Sequence, residues 1–146
     1  MPIPSGLWAG IDDYADEYIW NVGANADRAK AVCQRLCDAR DASDWTAFAA
    51  QYHPDGIYEF VGQAVTQGRD NIAEYERSTH DPAMQLTRDL WTADDSGRVW
   101  WRYTASWTDA ESGEARHTSG ASTAAVTDGL IVRLTSWIDL SFALPQ

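Results

Sequence analysis

The chain has one lysine, two cysteines and three histidines in 146 residues, and basic residues number 11 against 22 acidic ones. Each scarcity excludes something. Lys30, the single lysine, sits early in a predicted helix with polar neighbours, whereas Schiff-base chemistry needs a desolvated amine. Cys33 and Cys37 are four residues apart and could supply half of a metal site, but His53, His80 and His117 are scattered without ligand spacing. The pair reads as two small thiols on a helix face, and no metal or cofactor is expected. No apolar run approaches the ~20 residues of a membrane span. The first residues, MPIPSGLWAGIDDYADEY, have neither the basic nor the long apolar region of a secretory leader, so a cytoplasmic location is expected. A net charge of −11 repels phosphate, which argues against nucleic acid and anionic membranes as partners.

What is present suits one globular domain over residues 1–146, with 1–25 as an N-terminal extension. Hydrophobic residues make up 45% of the chain, enough to exclude disorder. Eight tryptophans and six tyrosines are many for this length. Several fall in strand-like segments, where aromatics suit a half-buried pleat; an aromatic-lined cavity, a bulky core and a dimer face all fit.

Helical spacing marks Ile11, Tyr14, Tyr18 and Ile19, with acidic residues on the opposite side. This segment is either a lid or a helix packed outside the fold. A break is expected at Gly23, then a helix from about Ala26 to Arg40 with Val32, Cys33, Leu36 and Ala39 as its apolar stripe. Ser43 can cap a short helix carrying Trp45, Phe48, Ala49 and Tyr52. His53-Pro54-Asp55-Gly56 ends it, strand Ile57–Val61 follows, and a loop leads to a helix carrying Ile72, Ala73 and Tyr75. Strands are expected over Met84–Ala93, Val99–Thr108, Arg116–Thr127 and Ile131–Leu140, joined by the turn sequences DDSG, DAESGE and DG. Helices first and an antiparallel meander behind is an α+β order.

Period-two alternation then assigns faces. Trp101, Tyr103, Ala105 and Trp107 share the more apolar face of their strand and should face the helices. Met84, Leu86, Arg88 and Leu90 share a face, so Arg88 either needs a partner or bound anion or reaches solvent at the sheet edge. Tyr58 and Phe60 share a face, and the phenol can donate to a substrate oxygen or be a core tyrosine. The inward rows of the last two strands, Thr118-Gly120-Ser122-Ala124 and Leu134-Ser136-Ile138, are small or hydroxyl-bearing and leave room for a ligand. His117 is the natural acid–base candidate, although alternation puts it on the outer face unless a bulge near Gly113–Arg116 re-aims it. No carboxylate is found in the inward rows.

The element order, with LTRDL at Leu86–Leu90 and YTASW at Tyr103–Trp107, resembles the nuclear-transport-factor-2-like superfamily, which includes SnoaL-like polyketide cyclases, ketosteroid isomerase and limonene-epoxide hydrolase. The resemblance implies a cone, with a strongly curved mixed or antiparallel sheet wrapped around N-terminal helices and enclosing one pocket; it also implies a homodimer. The ketosteroid isomerase positions fall at Leu36, Phe60 and Ser122, none with the required group, which argues against that activity. For limonene-epoxide hydrolase Tyr58 matches, while the asparagine falls at Phe60 and the aspartate at Ser136, so its water-activating network is incomplete. The expectation is an enzyme without metal or organic cofactor, of cyclase, isomerase or dehydratase type. Its substrate would be hydrophobic and oxygenated, such as a polyketide or terpenoid. Tyr58, Arg88, Tyr103 and His117 would be catalytic, and Leu36, Phe60, Met84, Trp101, Trp107, Ser122 and Ser136 would line the substrate site. The alternatives are a non-catalytic binding module with the same pocket, or an accessory dimerising subunit using Trp100 and Trp137.

Overall fold

The structure, a computed structural model, describes the backbone of residues 9–139 and side chains from residue 24 onward. Three helices precede or interrupt six strands: α1 (Ala9–Asp41), α2 (Trp45–Ala50), β1 (Tyr52–Phe60), β2 (Ala64–Gln67), α3 (Arg69–Thr79), β3 (Gln85–Ala93), β4 (Arg98–Thr108), β5 (Ala115–Thr127) and β6 (Leu130–Ile138). The strands form one mixed sheet in the order β2-β1-β6-β5-β4-β3. Only β1 and β6 run parallel; the other neighbours are antiparallel. The class is α+β, as expected. Among the described residues no helix is long and apolar enough to cross a membrane.

Four local features differ from the sequence reading. The break expected at Gly23 is absent, and α1 is continuous over 33 residues. One glycine costs a helix about 1 kcal/mol, which the alanine-rich stretch that follows can absorb. The side chains of the expected lid, Ile11–Ile19, lie outside the described residues. The cap of α2 is Asp44, whose carboxylate accepts from the Ala47 amide at 3.1 Å, and not Ser43. The segment His53–Gly56 is a bulge inside β1, since the register with β6 jumps between Tyr52 and Ile57. The expected loop before α3 contains β2, a four-residue edge strand on β1.

A fifth difference lies on β3, where the alternation fails at the bulge between Asp89 and Thr92: Leu90, expected on the face of Leu86 and Arg88, takes a φ of 54° and is 66% exposed, and Trp91 turns in to stack on Trp101. β4 follows the alternation. On β4, Val99, Trp101, Tyr103 and Ala105 are buried, and Trp100 on the opposite face is exposed. Register shifts at Tyr52/Ile57, Asp89/Thr92 and Ala125/Val126 bend the sheet, because an unpaired residue raises local twist. The concave face takes α1, which packs against β3, β4, β5 and β6. Val32, Cys33 and Leu36 supply the buried stripe of α1, so the thiols are core groups. Burial pushes the Cys33 thiol up to about 12 and that of Cys37 to about 11. Neither is a thiolate near neutral pH, and neither fits a nucleophile. Among the described residues no group of three or more His, Cys, Asp or Glu could hold a metal ion.

Candidate active site

Between α1, α3 and the concave sheet lies a cavity of about 380 Å³. That is about a dozen water volumes at ~30 Å³ each, the space of a one- or two-ring molecule. Tyr58, Arg88 and Tyr103 all line it, as do Leu36, Phe60, Met84, Trp101, Ser122 and Ser136. These come from β1, β3, β4, β5, β6 and α1, with Met84 just before β3, and sheet curvature brings them together.

His117 and Trp107 do not line the cavity. His117 is exposed on the outer face. The β4–β5 register runs unbroken from Arg98↔Ala125 to Thr108↔Ala115, so no bulge re-aims it. Trp107 keeps the inward side of β4 but lies two residues past Ala105, where the lining ends.

The acid group comes instead from a helix. Glu76 lines the cavity and is the one carboxylate among its described lining residues. It lies four residues after Ile72 and three after Ala73, both buried, and side chains at those spacings share a helix face. Its carboxylate is 14% exposed and accepts from Nε of Arg40, itself on the cavity wall, at 3.3 Å. A buried carboxylate is tolerated when a partner of this kind stands beside it. Tyr75, Gln63 and Thr79 also line the cavity and were not expected there.

The hydroxyl groups have distinct states. Ser122 and Ser136 are cross-strand partners, both buried, with their hydroxyl oxygens 2.8 Å apart. Burial pushes the Tyr58 phenol far up; the negative charge of Glu76 adds to this, and a hydrogen bond with Ser136 works against it. Tyr103 is pushed up to about 12, first by burial, with Arg40 lowering and Glu76 raising it. Both phenols are therefore neutral at ordinary pH and act as hydrogen-bonding groups, not bases. The Tyr103 proton is already engaged, since its hydroxyl donates to the Trp137 carbonyl at 2.8 Å. What Tyr103 offers a ligand is its ring and an oxygen lone pair. Tyr58 and the serine pair are left as the donors, grouped on β1, β5 and β6.

Arg88 lies on the edge strand β3, but its side chain lines the cavity and does not reach solvent, being 11% exposed. Its two terminal nitrogens donate to Asp41 at 2.8 and 3.1 Å. Burial acts to lower this guanidinium, but the hydrogen bonds to Asp41 and the surrounding acidic charge outweigh it, so it stays protonated.

A family model described as the SnoaL-like domain matches residues 33–134. No curated protein sequence matches the chain. Among solved structures, a protein assigned as a polyketide cyclase from Xanthomonas campestris pv. campestris is 25% identical. The alignment covers 82% of this chain and 96% of that one, with a TM-score of 0.68. A protein assigned as a ketosteroid isomerase from Kribbella flavida is 20% identical over 84% of this chain and 85% of that one, TM-score 0.70. An LEH-like epoxide hydrolase of M. tuberculosis is 18% identical over 79% and 85%, TM-score 0.64. The last two likenesses carry the cone fold and nothing finer.

Proposed function

The chain belongs to the SnoaL-like domain family, and on that premise we propose that it is a cofactor-independent enzyme of cyclase, isomerase or dehydratase type, with Glu76 as the group that moves the proton. The observation that carries this reading is Glu76, the one carboxylate among the described lining residues, set in an aromatic cavity with neutral hydroxyl donors. A cavity with apolar walls and a few convergent polar groups is the usual small-molecule site. The substrate is hydrophobic and oxygenated, of polyketide or terpenoid type.

In this reading the substrate oxygen, a carbonyl, takes hydrogen bonds from Tyr58 and the Ser122–Ser136 pair. Glu76 removes a proton from the adjacent carbon, and the C–H electron pair becomes an enolate whose charge those donors stabilise. Three outcomes balance without a redox partner. Glu76 returns the proton to a different carbon of the conjugated system, which is isomerization. The pair expels a β-hydroxyl, which takes the proton from Glu76 and leaves as water; this is dehydration. The enolate carbon attacks a second carbonyl of the same substrate, which closes a ring, and the alkoxide formed takes the proton from Glu76. Arg40, whose Nε donates to the Glu76 carboxylate, holds it in place. The aromatic walls hold a flexible substrate in reactive shape.

The test is solvent deuterium exchange at the α-carbon of 2-tetralone in D2O, followed by NMR with wild-type protein and Glu76→Gln. The wild type should accelerate exchange over buffer, and the variant should lose about 10²–10⁴ of that acceleration, the range a positioned base contributes. Wild-type exchange no faster than buffer, with 2-tetralone bound, would favour the non-catalytic binding module, and acceleration kept in Glu76→Gln would remove Glu76 from the mechanism.

A second observation favours an additional role for the outer sheet face. Trp100 and Trp137 are 46% and 39% exposed there and stack with ring centroids 6.3 Å apart. Beneath them the buried Thr123 hydroxyl has no hydrogen-bond partner. This face fits a second copy of the chain. A homodimer would require about 800 Å² per partner, and Trp137→Lys should convert it to monomer in light scattering. A wild type already monomeric at micromolar concentration would remove the dimer.

A further inference from the structure

The chain carries twice as many acidic as basic residues, yet the described wall of its cavity has the opposite balance. Two guanidiniums, Arg40 and Arg88, stand there against the one carboxylate of Glu76. Both are mostly buried, with side chains 20% and 11% exposed. The carboxylate that balances them, Asp41, is not part of the lining and is 46% exposed. It sits between the two cations: Oδ1 is 3.1 Å from Arg88 Nη2 and 3.8 Å from Arg40 Nη1, and Oδ2 is 2.8 Å from Arg88 Nη1. Asp41 is also the last residue of α1, where the helix dipole disfavours an acid. Its position is accounted for by the arginines, not by the helix.

We infer that Arg40 and Arg88 form a carboxylate-binding subsite of the cavity, that Asp41 occupies it from the solvent side in the free protein, and that the ligand is a hydrophobic carboxylic acid of one or two rings. The guanidinium fork matches a carboxylate in two parallel hydrogen bonds. Exchange of one carboxylate for another keeps both arginines neutralised, and the half-exposed Asp41 regains water when it leaves. A neutral ligand in the same cavity gains nothing from this exchange. The apolar wall of Leu86, Met84 and Trp101 takes the ring system beside the subsite. The inference rests on the cavity being the ligand site, the premise of the function proposed above, and goes beyond it in naming the charge of the ligand.

Calorimetric titration with 2-naphthoate and its neutral isostere 2-naphthamide, at pH 7.5, tests it. The acid should bind the wild type at least about tenfold tighter, the effect of one charge-assisted fork. Asp41→Asn removes the competing carboxylate, and the acid-to-amide affinity ratio should rise severalfold further. A merely structural Asp41 would leave that ratio unchanged. Arg88→Gln should bring the ratio close to one, with circular dichroism checking that the variant is folded. Equal binding of acid and amide by the wild type, no binding of the acid, or a ratio that stays level or falls in Asp41→Asn would each overturn the inference. Loss of acid preference with Glu76-dependent ketone exchange intact would remove this subsite alone. Acid preference without ketone exchange would remove the enzyme reading alone.

Discussion

Gly120 shows how closely the cavity floor is built, and a single methyl group there should be costly. The residue lies on β5 opposite Ile138, directly beneath the ring of Tyr103. A Cβ at this position would collide with the Trp137 carbonyl oxygen and with Cζ and Oη of Tyr103. One of these is backbone and the other two belong to a side chain fixed by its hydrogen bond to that same carbonyl. Overpacking in a tight site costs roughly 1–3 kcal/mol, and the lost hydrogen bond about 1 kcal/mol. Reduced freedom of the unfolded chain returns about 0.4–1 kcal/mol. Gly120→Ala should therefore lose about 2–3 kcal/mol, or a Tm lower by roughly 5–12 °C for a chain of this size. Tyr103→Phe separates the parts: it keeps the ring, removes only the hydrogen bond, and should lose about 1 kcal/mol. Urea unfolding of both variants measures the difference. Gly120→Ala with wild-type stability would refute the close approach of Tyr103 to β5.

Other consequences follow from the same geometry. The thiols are raised on folding, Cys33 from 9.0 to about 12 and Cys37 to about 11, and Tyr103 from 10.0 to about 12. Groups whose folded pKa is raised hold their stabilisation below the unfolded value and lose it as pH climbs, so stability should fall progressively above pH 9. Each fully buried group contributes a slope of up to about 1.4 kcal/mol per pH unit; a flat profile from pH 9 to 11 in urea titrations would contradict their burial. Ser122→Ala and Ser136→Ala should each cost about 1 kcal/mol, the double variant less than the sum, because either change already breaks their shared hydrogen bond. Additive losses would mean that the two hydroxyls do not pair. Arg40→Met strands a largely buried Glu76 carboxylate, so a loss of about 2–4 kcal/mol is expected in urea unfolding. The same loss in Arg40→Met/Glu76→Gln, where no carboxylate is left to strand, would assign Arg40 a packing role only.

The strands were legible because their two faces differ so much. In RVWWRYTASWT the alternation of Val99, Trp101, Tyr103 and Ala105 with charged and hydroxyl residues leaves one choice of inward face. That is also why Tyr58, Arg88, Tyr103 and the serine row could be placed before the fold was known. Glu76 was missed for a related reason. The strand rows hold no inward carboxylate; the acid group comes from α3, where Ile72 and Ala73 mark the inward side and helical spacing points to position 76. Asp41 could not be found from sequence, because its pairing with Arg88 spans 47 residues and joins two elements that meet only in the folded cone. The edge strand β2 has four residues and exists by pairing with β1, a tertiary effect no local pattern encodes. His117 has acid–base chemistry, but its own alternation points it outward, and the unbroken β4–β5 register leaves it outside.

The central claim is that Glu76 meets a substrate carbon while the hydroxyls of Tyr58, Ser122 and Ser136 hold its oxygen. A crystal structure of the protein with 2-tetralone bound tests it most directly. The account predicts the ketone inside the cavity, its oxygen within hydrogen-bond distance of Tyr58 or the serine pair, and its α-carbon in contact with the Glu76 carboxylate. A ketone seated with its oxygen elsewhere and Glu76 still locked on Arg40, out of reach of any ligand atom, would contradict it.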